Sequence, residues 1–435
     1  MDAATFTNPE YAKRSRLGRA THGISRRLEF WRRDREVLML PRGLLAEVRR
    51  LAPSAVIIDD TAACPEVPFR WRGDLRQEQR EACRAVSAGG GGVLVAPCGA
   101  GKTEMGLALV AAWRQPALWI VHTLDLADQA LERARRLYDS PEGAYGSLGG
   151  GRETIGTHLT VATVQTLARR DLSALGRYFG TVVLDEAHHV PARTFNDVVQ
   201  RFDARYRLGL TATPDRADGL GPAMLAVLGP VVAKLTVSDL AAAGRVLVPV
   251  VRQVPTTFEF AYTGDYAALL SALSTNAARN TLIVTSVAQE VRAGHLCLVL
   301  SERVEHCCLL AEALAAVAPD VQSAVLTGAV NQKTRAATMD AMRDGDIRVL
   351  FATKLADEGL DIPAVDRVFL AAGGRAAGRV QQQAGRAMRT CGGKTGAVVY
   401  DFVDARVGVL RAQAWARVRS VYRPLGARVT KEAAA

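Results

Sequence analysis

The run Pro97-Cys98-Gly99-Ala100-Gly101-Lys102-Thr103 constrains this chain more than any other feature, because of what flanks it. Before it, Gly92-Val93-Leu94-Val95-Ala96 is a short apolar stretch, the composition of a strand buried on both faces of a parallel sheet. After it, Glu104 to Trp113 carries apolar residues at helical spacing. A strand that runs through a glycine-rich turn straight into a helix opens a βαβ unit, and such units build parallel sheets with helices on both faces. Gly99 and Gly101 accept positive φ and lack a Cβ, so neighbouring backbone N–H groups can converge on phosphate oxygens. The helix start adds a dipole that favours an anion. Lys102 supplies a cation for the β and γ phosphates, and Thr103 a hydroxyl for Mg²⁺. The strict pattern has glycine at position 96, where this chain has Ala96.

A second run, Asp185-Glu186-Ala187-His188-His189, follows the β-branched stretch Thr181-Val182-Val183-Leu184. That position puts Asp185 at the carboxyl end of a strand, the edge at which parallel α/β sheets bind ligands. Asp185 suits Mg²⁺, which keeps most of its waters and takes few carboxylates. Glu186 is the candidate for orienting or deprotonating an attacking water. A zinc pair at His188 and His189 is disfavoured, because adjacent side chains point apart and no cysteine lies nearby.

Composition excludes several classes. At 435 residues and 49% hydrophobic content the chain has room for two or three domains. No stretch reaches the ~18 apolar residues of a membrane span. The N-terminus has no apolar h-region, and the seven cysteines form no CxxC pair, so a cytoplasmic protein with reduced thiols is expected. The net charge of +11 is unevenly distributed: residues 1–50 hold 12 basic against 6 acidic groups and residues 405–435 hold 7 against 1, leaving the middle near neutral. Basic ends suit a polyanion such as DNA, with solvated tails as the bland alternative.

Beyond the two runs, further segments fall in a characteristic order. They are Leu75-Arg76-Gln77-Glu78-Gln79, His122 to Gln129, Ala162-Thr163-Val164-Gln165-Thr166-Leu167, Leu210-Thr211-Ala212-Thr213-Pro214, Phe351-Ala352-Thr353, Glu358-Gly359-Leu360-Asp361-Ile362-Pro363 and Gln382 to Arg389. In this order the chain resembles the superfamily 2 DEAD/DEAH-box helicases. Thr213 to Leu220, Gly244 to Pro249 and Leu326-Thr327-Gly328 look closest to the XPB-like branch of double-stranded DNA translocases. Ala217 stands where that branch has an acidic residue.

The resemblance implies an α/β fold of two tandem RecA-like parallel-sheet lobes with a small N-terminal accessory domain. The expected boundaries are 1–67 for a basic accessory region, 68–245 for the ATP-binding lobe, 246–404 for the second lobe and 405–435 for a basic helical tail. Within them, residues 1–25 read as disordered, Ala55 to Ile58 as a strand, Gly149 to Gly151 as a flexible loop and Val246 to Thr257 as the segment between lobes. The resemblance also implies roles. Arg76, Gln79, Gly99, Gly101, Lys102, Thr103, Gly359, Asp361 and Gln382 would bind ATP. Lys102, Asp185, Glu186, Arg386 and Arg389 would be catalytic, the two arginines stabilising the transition state from the second lobe. Thr103 and Asp185 would hold Mg²⁺. Thr163, Thr166, Thr327 and Thr353 would touch nucleic acid, and His188, Thr211 and Thr213 would couple hydrolysis to movement. The implied activity is that of an ATP-dependent DNA helicase or double-stranded DNA translocase. Two alternatives stay open: an RNA helicase, and a nucleotide-gated DNA-binding subunit that serves a nuclease or repair partner without unwinding.

Overall fold

The computed structural model describes residues 1–432 except 63, 98, 187–191, 213–218, 354–361, 363, 373–387, 389–393 and 395. His188, Thr213, Gly359, Asp361, Gln382, Arg386 and Arg389 therefore lie outside the described residues. The chain divides into two compact units: Met1–Pro97 with Gly101–Leu235, and Thr236–Ala435 with the short stretch 98–100.

The first unit is built on an eight-stranded sheet. Its strands are β1 (Gly91–Val95), β2 (Ala117–Val121), β3 (Tyr145–Gly149), β4 (Arg152–Thr154), β5 (Leu159–Thr163), β6 (Thr181–Asp185), β7 (Tyr206–Thr211) and β8 (Val231–Lys234), in the order β4-β3-β5-β2-β6-β7-β1-β8. All neighbours pair parallel except β3 and β4. Every residue of β1, β2, β5 and β6 is buried, as their unbroken apolar and β-branched runs require when helices cover both faces. The antiparallel pair corrects the flexible-loop reading of 149–151. Gly149 pairs with Arg152, and the two-residue turn between them has φ of +60° at Gly150 and +82° at Gly151, the geometry that a tight hairpin demands of its central residues.

The disordered reading of residues 1–25 is also corrected. Thr5–Thr7 pairs antiparallel with Arg27–Glu29. Asn8 caps the helix Pro9–Arg16, its side chain accepting from Glu10 N at 3.0 Å and donating to Ser25 O at 2.8 Å. Ala4, Leu28 and Phe30 are buried in the same cluster as Val93, Leu118 and Phe179, so these elements share the core of the first sheet. A few long-separated anchors hold this segment, and they carry no local periodicity. Ala55 to Ile58 forms no strand; Val56 is 91% exposed.

The second unit contains a seven-stranded, wholly parallel sheet. Its strands are β9 (Val250–Pro255), β10 (Cys297–Ser301), β11 (Ser323–Leu326), β12 (Val349–Thr353), β13 (Arg367–Leu370), β14 (Val398–Val403) and β15 (Arg428–Lys431), ordered β11-β12-β10-β13-β14-β9-β15. Helices Ala277–Arg292 and Val304–Val317 pack their buried faces onto it through Ile283, Val287, Leu310 and Leu314. Two expectations change here. Val250–Pro255 is an interior strand where a connector was expected, and the C-terminal segment adds β15 beside it.

Candidate nucleotide site

The carboxyl edge of the first sheet gathers the residues singled out above. β1 ends at Val95, and Ala96 continues its ladder, donating its N–H to Thr211 O at 2.9 Å. Ala96 has no positive φ, so a Cβ is tolerated there, and its carbonyl accepts from Lys102 Nζ at 3.2 Å. The turn itself needs glycine: Gly99 has φ +83° and Gly101 φ +81°. A Cβ on Gly101 would also lie 2.3 Å from Gln79 Nε2. Lys102 then opens the helix Lys102–Trp113, with Thr103 half-buried in its first turn.

Lys102 is 8% exposed, and its Nζ lies 3.5 Å from Glu186 Oε1. Glu186 is one of three non-glycine residues with positive φ among the described residues, at +52°. Strain of that kind at a strand end is an observation that points to function. Asp185, buried at the end of β6, accepts the Glu186 N–H on Oδ1 at 3.0 Å. Burial pushes the Asp185 carboxyl up to about 7; the Glu186 charge adds to this and Lys102 partly offsets it. Two adjacent carboxyls, one of them buried, beside one lysine and an anion-ready turn form a donor set that fits a nucleotide phosphate with a divalent cation.

Gln79 is buried in the first turn of the helix Gln77–Ala88, its Oε1 accepting the Arg76 N–H at 2.9 Å. Its amide therefore ties the helix start to the phosphate turn. The Arg76 guanidinium pairs with Glu78 at 2.8 Å. Thr211 is fully buried at the end of β7. Sequence reading missed Glu104, whose Oε2 would lie 3.2 Å from a Gly101 Cβ and whose Oε1 meets Arg133 at 3.4 Å. Its position in the first turn after the lysine was the available signal.

The threonines assigned to nucleic acid behave differently from one another. Thr163 caps the helix Val164–Ala168 and shares a 2.8 Å hydroxyl contact with Thr166. Thr327 accepts the Ala329 N–H at 3.3 Å. Thr353 is buried at the end of β12, and its hydroxyl has no partner among the described residues.

Residues 72–216 match the family described as type III restriction enzyme, res subunit, and residues 276–391 match the helicase conserved C-terminal domain. These two matches, in tandem, cover the phosphate turn and most of the second sheet. The chain belongs to the superfamily 2 helicases, in the XPB-like branch. Within the family it is 36% identical over 168 residues to "DNA 3'-5' translocase XPB2" of Sulfurisphaera tokodaii, covering 39% of this chain and 37% of that protein. It is 30% identical over 344 residues to "DNA 3'-5' helicase XPB" of Kineococcus radiotolerans, covering 76% of this chain and 60% of that protein. The chain thus spans about two fifths to three fifths of these relatives' length. Its fold matches a fragment described as an HsdR subunit of a type I restriction enzyme from Vibrio vulnificus YJ016, with a TM-score of 0.61 at 16% identity, over 83% of this chain and 70% of that one. Among the described residues no helix is long and apolar enough to cross a membrane.

Proposed function

We propose that this chain is an ATP-dependent DNA translocase or helicase of the cytoplasm. The observation that carries the reading is the buried Lys102 ammonium 3.5 Å from Glu186, beside the buried Asp185 at one strand end. Residues 68–245 are the ATP-binding lobe and 246–404 the lobe that contributes Arg386 and Arg389; parts of 1–67 are built into the core of the first and 428–431 adds a strand to the sheet of the second. Lys102 counters phosphate charge. Glu186, turned back by its positive φ, holds and deprotonates the attacking water. Thr103 and Asp185 are the residues that would hold Mg²⁺, which when bound neutralises charge on the β and γ oxygens. Arg386 and Arg389 stabilise charge on the transferring phosphoryl group, an effect worth about 10³–10⁵ in rate where arginine fingers act. Gln79 with Arg76, and Gly359, Asp361 and Gln382, complete the nucleotide contacts. Thr163, Thr166, Thr327 and Thr353 grip the DNA backbone, and His188, Thr211 and Thr213 couple the two events.

DNA rather than RNA is supported by the two XPB-named relatives. The decisive assay pairs strand displacement from a forked duplex with triplex displacement. Displacement of the third strand, with or without unwinding, is the expected result. ATP-dependent binding with neither activity would replace the motor by a clamp that serves a nuclease or repair partner.

A further inference from the structure

The C-terminal helix Gly408–Arg417 has two sides of opposite character. One is locked to the second sheet. Leu410 and Ala414 are buried, and Arg417 is 5% exposed with its guanidinium on Asp401 at 2.6 and 3.2 Å. A π-turn, Val418–Tyr422, follows directly. In such a turn residues five apart share nearly the same side, so Tyr422 reaches the same carboxylate and donates its hydroxyl to Asp401 at 2.9 Å. The helix is therefore fixed in rotation as well as position.

The other side presents Trp415, 69% exposed. A singly exposed hydrophobic residue is ordinary on a protein surface, so this indole is informative through the charges that flank it. Arg411, one helical turn before Trp415, shares its face, and Arg419, exposed in the π-turn that follows, lies four residues beyond it. Residues 405–431 contain no acidic residue. Of their basic groups Arg406 is paired with Glu259 and Arg417 with Asp401. Arg411, Arg419 and Arg423 are exposed and make no ion pair among the described residues. The helix begins just after β14 leaves the carboxyl edge of the sheet, the edge on which Thr353 also ends.

We propose that Arg411, Trp415 and Arg419 form a stacking platform for a single strand of nucleic acid. The indole lies on an unpaired base, and the two guanidiniums hold the phosphates on either side. A flat π-surface flanked by cations matches the alternation of bases and phosphates along a strand. The platform rests on the nucleic-acid motor reading and adds a contact outside both family matches, which end at residue 391.

The test uses the full chain and three labelled oligomers of equal length: deoxythymidine, uridine and an abasic deoxyribose strand. Trp415→Ala is expected to weaken binding of the two base-bearing strands roughly tenfold, in line with the about 1–3 kcal/mol lost per stacked base, and to leave the abasic strand unchanged. Trp415→Phe should restore most of the loss. Arg411→Gln with Arg419→Gln should weaken all three strands and lower the log–log salt slope by about 0.7 per charge. Quenching of tryptophan fluorescence by deoxythymidine should diminish in Trp415→Phe. Folding is not at stake, since the ring is exposed. Equal affinity of wild type and Trp415→Ala for the base-bearing strands would overturn the platform, as would an equal loss on the abasic strand. Failure of wild type to bind either base-bearing strand would also overturn the platform, whereas failure to bind a duplex DNA of the same length as well would overturn the motor reading on which it rests.

Discussion

The two sheets end in different electrostatic arrangements. At the carboxyl edge of the first, Asp185 and Glu186 lie side by side with Lys102 within 3.5 Å, and the buried Asp185 carboxyl is pushed up to about 7. At the carboxyl edge of the second, the buried charge of Arg279 is neutralised among the described residues. The Arg279 guanidinium, 2% exposed, donates to Asp404 at 2.8 and 3.2 Å and to Ala371 O at 2.6 Å, and Thr256 donates its hydroxyl to Asp404 at 2.5 Å. Beside it the buried His306 ring accepts from Ser301 Oγ at 2.9 Å and donates to Asn280 Oδ1 at 3.1 Å, in a direction set by the Asn280 amide donating to Ser274 O. The same layered architecture thus serves two purposes. The first edge holds like charge for a ligand to compensate, whereas the groups around Arg279 and His306 at the second hold the shape of their own lobe.

The largest expected effects break the first edge and its proposed arginine partners. Lys102→Ala should abolish ATP turnover, because it removes the cation beside the turn. Arg386→Ala and Arg389→Ala should each lower turnover by about 10²-fold or more with smaller changes in nucleotide affinity, measured by steady-state kinetics. A single arginine accounting for the whole loss would reduce the pair to one finger.

The second edge should answer in stability. Asp404→Ala leaves Arg279 buried and uncompensated, which is expected to cost about 3–5 kcal/mol in urea unfolding. A loss below about 1 kcal/mol would mean that the pair is as exchangeable as a surface bridge.

Acid should expose the same contrast. Burial, with the Arg279 charge adding to it, lowers the His306 pKa to about 3, while an unfolded histidine titrates near 6.5. Between those values the unfolded state binds a proton that the folded state refuses. Stability from this group is therefore complete above about pH 6.5 and falls by up to about 1.4 kcal/mol per unit as pH drops toward 3. His306→Gln should flatten that slope in pH-dependent unfolding curves; an unchanged slope would place the acid sensitivity elsewhere.

The smallest effect sharpens the nucleic-acid assignments. Thr163→Ala removes a helix cap and should cost about 1 kcal/mol, whereas Thr163→Ser should not. DNA affinity that follows stability through both variants would make Thr163 a cap alone.

Legibility in the sequence tracked how local the determining contacts are. The strands β1 and β6 were readable because each is a continuous buried run whose own residues decide it. So was the phosphate turn, whose glycines answer to a backbone requirement. Val250–Pro255 was not, because its polar Arg252 is satisfied far away, by Glu290 at 3.3 Å and the Tyr400 hydroxyl at 2.6 Å. Arg417 failed for the same reason. In a stretch without acids it reads as a free charge for DNA, yet its partner Asp401 lies 16 residues back in a strand. Ala4 gave no sign of its burial, since a lone small residue makes no pattern. Charge-removing tests of the C-terminal segment should therefore leave Arg417 in place.

The most direct measurement is the steady-state ATPase rate of the full chain as duplex DNA is added, for wild type beside Glu186→Gln. The expected result is a wild-type rate that rises with DNA, and a variant that still binds nucleotide but turns over at least about 10²-fold more slowly at every DNA concentration. A variant that hydrolyses ATP near the wild-type rate would contradict the assignment of the base, and a wild-type rate indifferent to DNA would contradict the motor.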